Sequence, residues 1–121
     1  MDLKSTPKIY NYLDGNGNQY IIKNDAIEYV PVKPLYSSSG VYNGGNSSKK
    51  ELSKIQYNQV TTILNVAIKN KKIHIKNRVK MSGMIVIQEE NKENAYILSP
   101  YVKETQKIEN ILHDIISNWL I

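Results

Sequence analysis

Cysteine is absent from the 121 residues of this chain, which removes disulfide staples, thiol nucleophiles and cysteine-ligated zinc from the chemistries open to it. The same absence leaves the redox compartment unmarked. Phenylalanine is also missing, so the aromatic content rests on nine tyrosines and one tryptophan. Arg78 is the single arginine among sixteen basic side chains, and one guanidinium fork is a poor basis for reading base edges. No stretch approaches the roughly 18 apolar residues of a membrane span, and the opening MDLKSTPK lacks the apolar run of a signal peptide. A soluble, cytoplasmic chain without membrane insertion is the expectation, unless a secretory leader was removed ahead of Met1.

What is present is the length and composition of one domain: 121 residues, 40% hydrophobic, the size at which a single core forms. The formal net charge of +5 is unevenly spread. Residues 49–80 hold nine of the sixteen basic side chains against the single acid Glu51, and the rest of the chain is net negative. Any attraction to an anionic partner therefore belongs to that middle segment.

KIYNYLD and QYIIKND alternate as strands do, and the DGNGN between them carries the Asp-Gly and Asn-Gly signals of a hairpin. Asp14, Asn16 and Asn18 also have the opening spacing of a calcium-binding loop. However, Gln19 stands where that loop needs glycine and Asp25 where it needs a bidentate glutamate. Turn chemistry is the better reading. AIEYVPVKPLY reads as an edge strand that leaves the sheet near Pro34, because its prolines cannot donate to a central ladder.

Residues 37–48 read as a flexible Ser/Gly-rich loop. Gly40 to Ser47 falls one residue short of the P-loop pattern: Asn46 occupies the place of the lysine that reaches the β and γ phosphates. Ser48 and Glu51 have the spacing of a capping box, which predicts a helix over 49–69 with Leu52, Ile55, Val60, Ile63, Leu64 and Ala67 along its core stripe. Its N-terminus, with Ser47, Ser48, Lys49 and Lys50 beside spare N–H donors, is a candidate anion site. A second helix is predicted after Ser99 as cap and Pro100 in the first turn, with Ile108, Ile111, Leu112, Ile115, Ile116, Trp119 and Leu120 at spacings of three and four.

Between the helices, KIHIKNRVK, MIVIQEE and AYILS read as three further strands. Along the first, period two sends Ile73, Ile75 and Val79 one way and Lys72, His74, Lys76, Arg78 and Lys80 the other. Such a cationic row can follow a polyanion backbone or merely keep an exposed sheet edge from pairing with other chains. No aromatic residue interrupts the row to stack bases.

No catalytic constellation can be assembled. His74 and His113 lack the spacing of a zinc site, no serine sits in a nucleophile elbow, and the acidic turn Glu89 to Glu93 reads as solvated charge. No cofactor and no metal are expected. The sequence thus predicts an α+β domain, two amphipathic helices on one face of a largely antiparallel sheet of five or six strands. A binding or interaction module without catalysis is the expected function. Polyanion binding through residues 72–80 is the first alternative, and a small enzyme with an anion site near the Ser/Gly loop the second.

Overall fold

The computed structural model describes residues 8–31, 35–37, 40–42 and 47–117. Among these residues nine strands and two helices follow one another as β1 (Ile9–Leu13), β2 (Gln19–Lys23), β3 (Ala26–Val30), β4 (Leu35–Ser37), β5 (Gly40–Tyr42), β6 (Ser48–Glu51), α1 (Lys54–Lys69), β7 (His74–Ile75), β8 (Gly83–Glu89), β9 (Lys92–Leu98) and α2 (Lys103–Ser117). Seven strands form one antiparallel sheet in the order β6-β3-β2-β1-β8-β9-β7, and β4 pairs with β5 separately. The α+β class and the helix pair agree with the sequence expectation; the strand count is seven rather than five or six.

The β1–β2 turn shows why Asp14, Asn16 and Asn18 alternate. Asp14 Oδ1 accepts from the main-chain N–H of Asn16 and of Asn18, each at 2.9 Å, and Oδ2 accepts from Asn18 Nδ2 at 3.1 Å. An aspartate that closes its own turn in this way is common hairpin chemistry. Gly17 takes φ 92° to complete it.

Period two on the strands sends Tyr10 and Tyr12 of β1, Tyr20 and Ile22 of β2, Ile27 of β3, Ile85 of β8 and Leu98 of β9 into the core. There they meet Leu52, Val60, Leu64 and Ala67, and Ile108, Leu112 and Ile115 of α2. With no phenylalanine available, tyrosines fill the large core positions. Tyr20 stacks obliquely on Tyr29 at 5.0 Å and on Tyr12 at 6.5 Å. Each buried tyrosine brings a hydroxyl that needs a partner. Tyr12 finds Glu109 on α2 at 2.7 Å, and Tyr10 reaches Asn65 on α1 at 3.4 Å.

Five sequence expectations require correction. β3 is not an edge strand, because β6 pairs along its outer side. The helix does not begin after Ser48. Ser48–Glu51 is a strand paired with β3, Leu52 N–H extends the ladder to the Asp25 carbonyl at 2.9 Å, and the cap is Ser53. Ser53 Oγ accepts from Gln56 N–H while Gln56 Oε1 accepts from Ser53 N–H, a full capping box immediately ahead of the apolar run. Ser99 is likewise no cap; its N–H donates to the Ile73 carbonyl at 2.7 Å, prolonging the contact between β9 and the segment before β7. Tyr101 at φ 65° then turns the chain, and α2 starts at Lys103.

Ile55, assigned to the core stripe of the first helix, is 70% exposed. Finally, KIHIKNRVK is not one strand. Residues Lys71–Ile73 form a 3-10 turn, only His74–Ile75 pairs with β9, and the chain then leaves the sheet. Asn77 is the reason: it occupies the place between Ile75 and Val79 on the apolar side, so continuing the strand would gain no burial there. Val79 ends 52% exposed. Residues Pro34, Ser38, Ser39, Asn43 to Asn46, Trp119 and Leu120 lie outside the described residues, and the P-loop-like stretch falls partly among them.

Candidate functional site

α1 has an unusual charge distribution. Between Lys54 and Lys69 it carries no charged side chain over residues 55–68. Val60, Thr61, Leu64 and Ala67 face inward and are buried. The opposite side would ordinarily be charged on a solvated helix, yet here it presents Ile55, 70% exposed, and Val66, 54% exposed. Between them stand the exposed polar but uncharged Asn58, Gln59 and Thr62.

α2 packs beside α1, and the two leave an open groove on the side away from the sheet. Ile55, Asn58, Gln59, Thr62 and Ile63 of α1 line it with Ile111 of α2, around a volume of about 590 Å³. Ile63 also borders a smaller hollow of about 150 Å³, shared with Val66, Lys103, Glu104 and Lys107. The two hollows meet at Ile63 and are taken together as a furrow, uncharged where Ile55 to Ile63 line it and charged at the Val66 end. Asn70, at the C-terminus of α1, donates to Glu104 Oε2 at 2.8 Å, and this bond holds the Glu104 carboxyl below the usual glutamate range.

The residues singled out from the sequence as anion ligands are placed differently. His74 Nε2 donates to the Ala67 carbonyl at 3.0 Å, in the last turn of α1, and its ring packs at 5.6 Å against Tyr96. Lys50 Nζ donates to the Ile115 carbonyl at 3.0 Å, near the end of α2. Each donates to a main-chain carbonyl in the last described turn of a helix. Arg78 Nη2 donates to the carbonyls of Ser82 at 2.6 Å and Asp14 at 3.3 Å, tying the 76–82 loop to the β1–β2 turn. The fully buried Ser82 closes the same loop, its Oγ donating to the Val79 carbonyl at 2.7 Å.

Lys72, Lys76 and Lys80 are exposed, but they belong to a 3-10 turn and a loop, so no strand aligns them with His74 and Arg78. Ser47, Ser48, Lys49 and Lys50 do not flank a helix N-terminus, because that terminus is at Ser53.

One titratable pair is strongly perturbed. Burial pushes the Tyr12 hydroxyl well above the usual tyrosine range, with Glu109 adding to the effect. Burial also raises the Glu109 carboxyl, although the hydrogen bond from Tyr12 works the other way. Neither residue lines the furrow or the hollow of about 360 Å³ at the β8–β9 turn, where Glu89, Glu90 and Glu93 gather. The pair joins β1 to α2 through a partly buried hydrogen bond of 2.7 Å. Comparison of the chain with protein-family models, with curated proteins and with solved structures gave no match.

Sequence reasoning overlooked the furrow because it assigned Ile55 and Ile63 to the core by periodicity. The available signal was the lack of any charge from 55 to 68, on a helix with more apolar residues than its inward face needs.

Proposed function

We propose that this domain is a protein-interaction module, without catalytic activity, that receives a helix of its partner in the furrow between α1 and α2. The observation that carries this reading is the uncharged outer face of α1, with Ile55 and Val66 exposed at its two ends. Contact surfaces are depleted of charge at their centres, and an amphipathic helix laid into an apolar groove is a recurring recognition mode. The hot contacts would be Ile55, Ile63 and Val66, with Ile111 as the opposite wall.

Hydroxyl-radical labelling of side chains in the isolated protein and in extract of the source cells tests the reading. Ile55 and Val66 should be labelled in isolation and protected in extract. An Ile55→Lys, Val66→Lys double variant should lose protection at Ile63 and Ile111. Protection that falls elsewhere, or nowhere, would overturn it. The polyanion alternative now rests on Lys72, Lys76 and Lys80, since His74 and Arg78 already donate to main-chain carbonyls; protection of the 76–80 loop that nuclease abolishes would favour it instead.

A further inference from the structure

From the charges that border the furrow we infer that its partner is an amphipathic helix whose uncharged apolar stripe ends in acidic residues, and that these acids seat beside Lys103 and Lys107. This rests on the furrow being the docking site, and adds the chemistry of what docks.

The charges at the Val66 end come from α2. Lys103 and Lys107 line the hollow there with one carboxylate, that of Glu104. Glu104 Oε2 accepts from Asn70 Nδ2, and that bond, with the two lysines adding to it, keeps the carboxylate ionised, so two ammonium groups stand here against one negative charge. Both lysines are exposed. Lys69 follows in the last turn of α1. The lining is thus uncharged from Ile55 to Ile63 and carries an excess of positive charge, two lysines to one glutamate, at the Val66 end.

A partner stripe of matching length needs no charge along its middle, where a desolvated carboxylate or ammonium would have no counterpart. It needs acids at one end, where they meet cations at the rim. Rim charges of this kind act on encounter rate and register more than on raw affinity. A second copy of the chain fits less well, because its α1 presents the same uncharged face and its carboxylate at this end, Glu104, lies beside two lysines of its own.

The test uses two synthetic helical peptides of about four turns, alanine-based, with leucines on one stripe. One peptide carries glutamates at one end of the stripe and the other carries lysines there. Each is titrated into the full chain while the methyl signals of Ile55, Ile63, Val66 and Ile111 are followed by NMR. The glutamate peptide should shift these signals and bind about tenfold more tightly at about 50 mM salt, with the difference closing as the Debye length shortens toward about 3 Å at about 1 M. Lys103→Glu with Lys107→Glu should reverse the preference.

Equal affinity of both peptides at these methyls would overturn the acidic partner while leaving the docking furrow standing. If neither peptide moves the methyls, both readings fall. Sedimentation of the free protein as a dimer that Ile55→Lys dissociates would overturn the inference in favour of a second copy.

Discussion

The hydroxyl of Tyr12 donates to Glu109 Oε2 at 2.7 Å, joining the central strand β1 to the middle of α2. Tyr12 is fully buried, and the pair satisfies a hydroxyl that the core would otherwise strand. Glu109 is only partly covered, and burial raises its carboxyl above the ordinary value of 4.5. In the pH window between that value and the raised one, the folded protein binds more protons than the unfolded chain. Stability therefore falls as pH rises through the window and is level above it. Glu109→Gln keeps an acceptor for Tyr12 and cannot ionise. The variant should gain on wild type as pH climbs from about 4 to neutrality, measured by urea melts at several pH values. A wild-type curve that runs parallel to that of the variant would contradict the assignment.

The capping assignment separates two serines five residues apart. Ser53→Ala removes the acceptor for Gln56 N–H and should cost about 1 kcal/mol. Ser48→Ala, at a strand position opposite Tyr29, should stay within about 0.5 kcal/mol of wild type. Thermal melts of the two variants decide the matter: a larger loss at Ser48 would place the helix start where the sequence first suggested it.

S-x-x-E at Ser48 and S-x-x-Q at Ser53 are both valid boxes, and the second stands nearer the apolar run. Choosing between them required knowing that β3 had an open edge to which Ser48–Glu51 could pair, which is a long-range fact. The hairpin at Asp14, the strands β8 and β9, the apolar stripe of α2 and the α+β class all follow from local pattern, and they were legible. The alternation at 72–80 does not mark a strand beyond Ile75, because Asn77 breaks its apolar side. The destinations of His74, Lys50 and Arg78 are carbonyls distant in sequence, which no local pattern announces. The furrow was half legible, in the missing charges of α1, but exposure of Ile55 depends on where α2 lies.

Gly83 is set by its neighbour across the sheet. A Cβ built there would lie 2.6 Å from Tyr12 Oη and 3.2 Å from two ring carbons. Gly83→Ala must push the Tyr12 ring and weaken its bond to Glu109, and overpacking of this kind costs about 1 to 3 kcal/mol. The double variant Gly83→Ala, Tyr12→Phe removes the clashing oxygen and should recover part of the loss. Equal melting temperatures for Gly83→Ala and wild type would show that the sheet opens there without cost.

Lys50 and Lys49 are adjacent lysines with opposite expectations. Lys50 is half-buried and spends its ammonium on the Ile115 carbonyl of α2. Lys49 is exposed and lies across the ladder from Glu28. Lys50→Met keeps most of the aliphatic stem and deletes the donor, so the loss should be about 0.5 to 1.5 kcal/mol and be little affected by salt, as expected for a hydrogen bond shielded from solvent. Lys49→Met should change stability by less than about 0.5 kcal/mol. The contrast matters for function as well as for folding. If Lys50 were instead an anion ligand, its loss would leave stability unchanged and would abolish a phosphate-induced rise in melting temperature. Urea melts of both variants, with and without inorganic phosphate, distinguish the two roles, and a stability-neutral Lys50→Met would remove it from the end of α2.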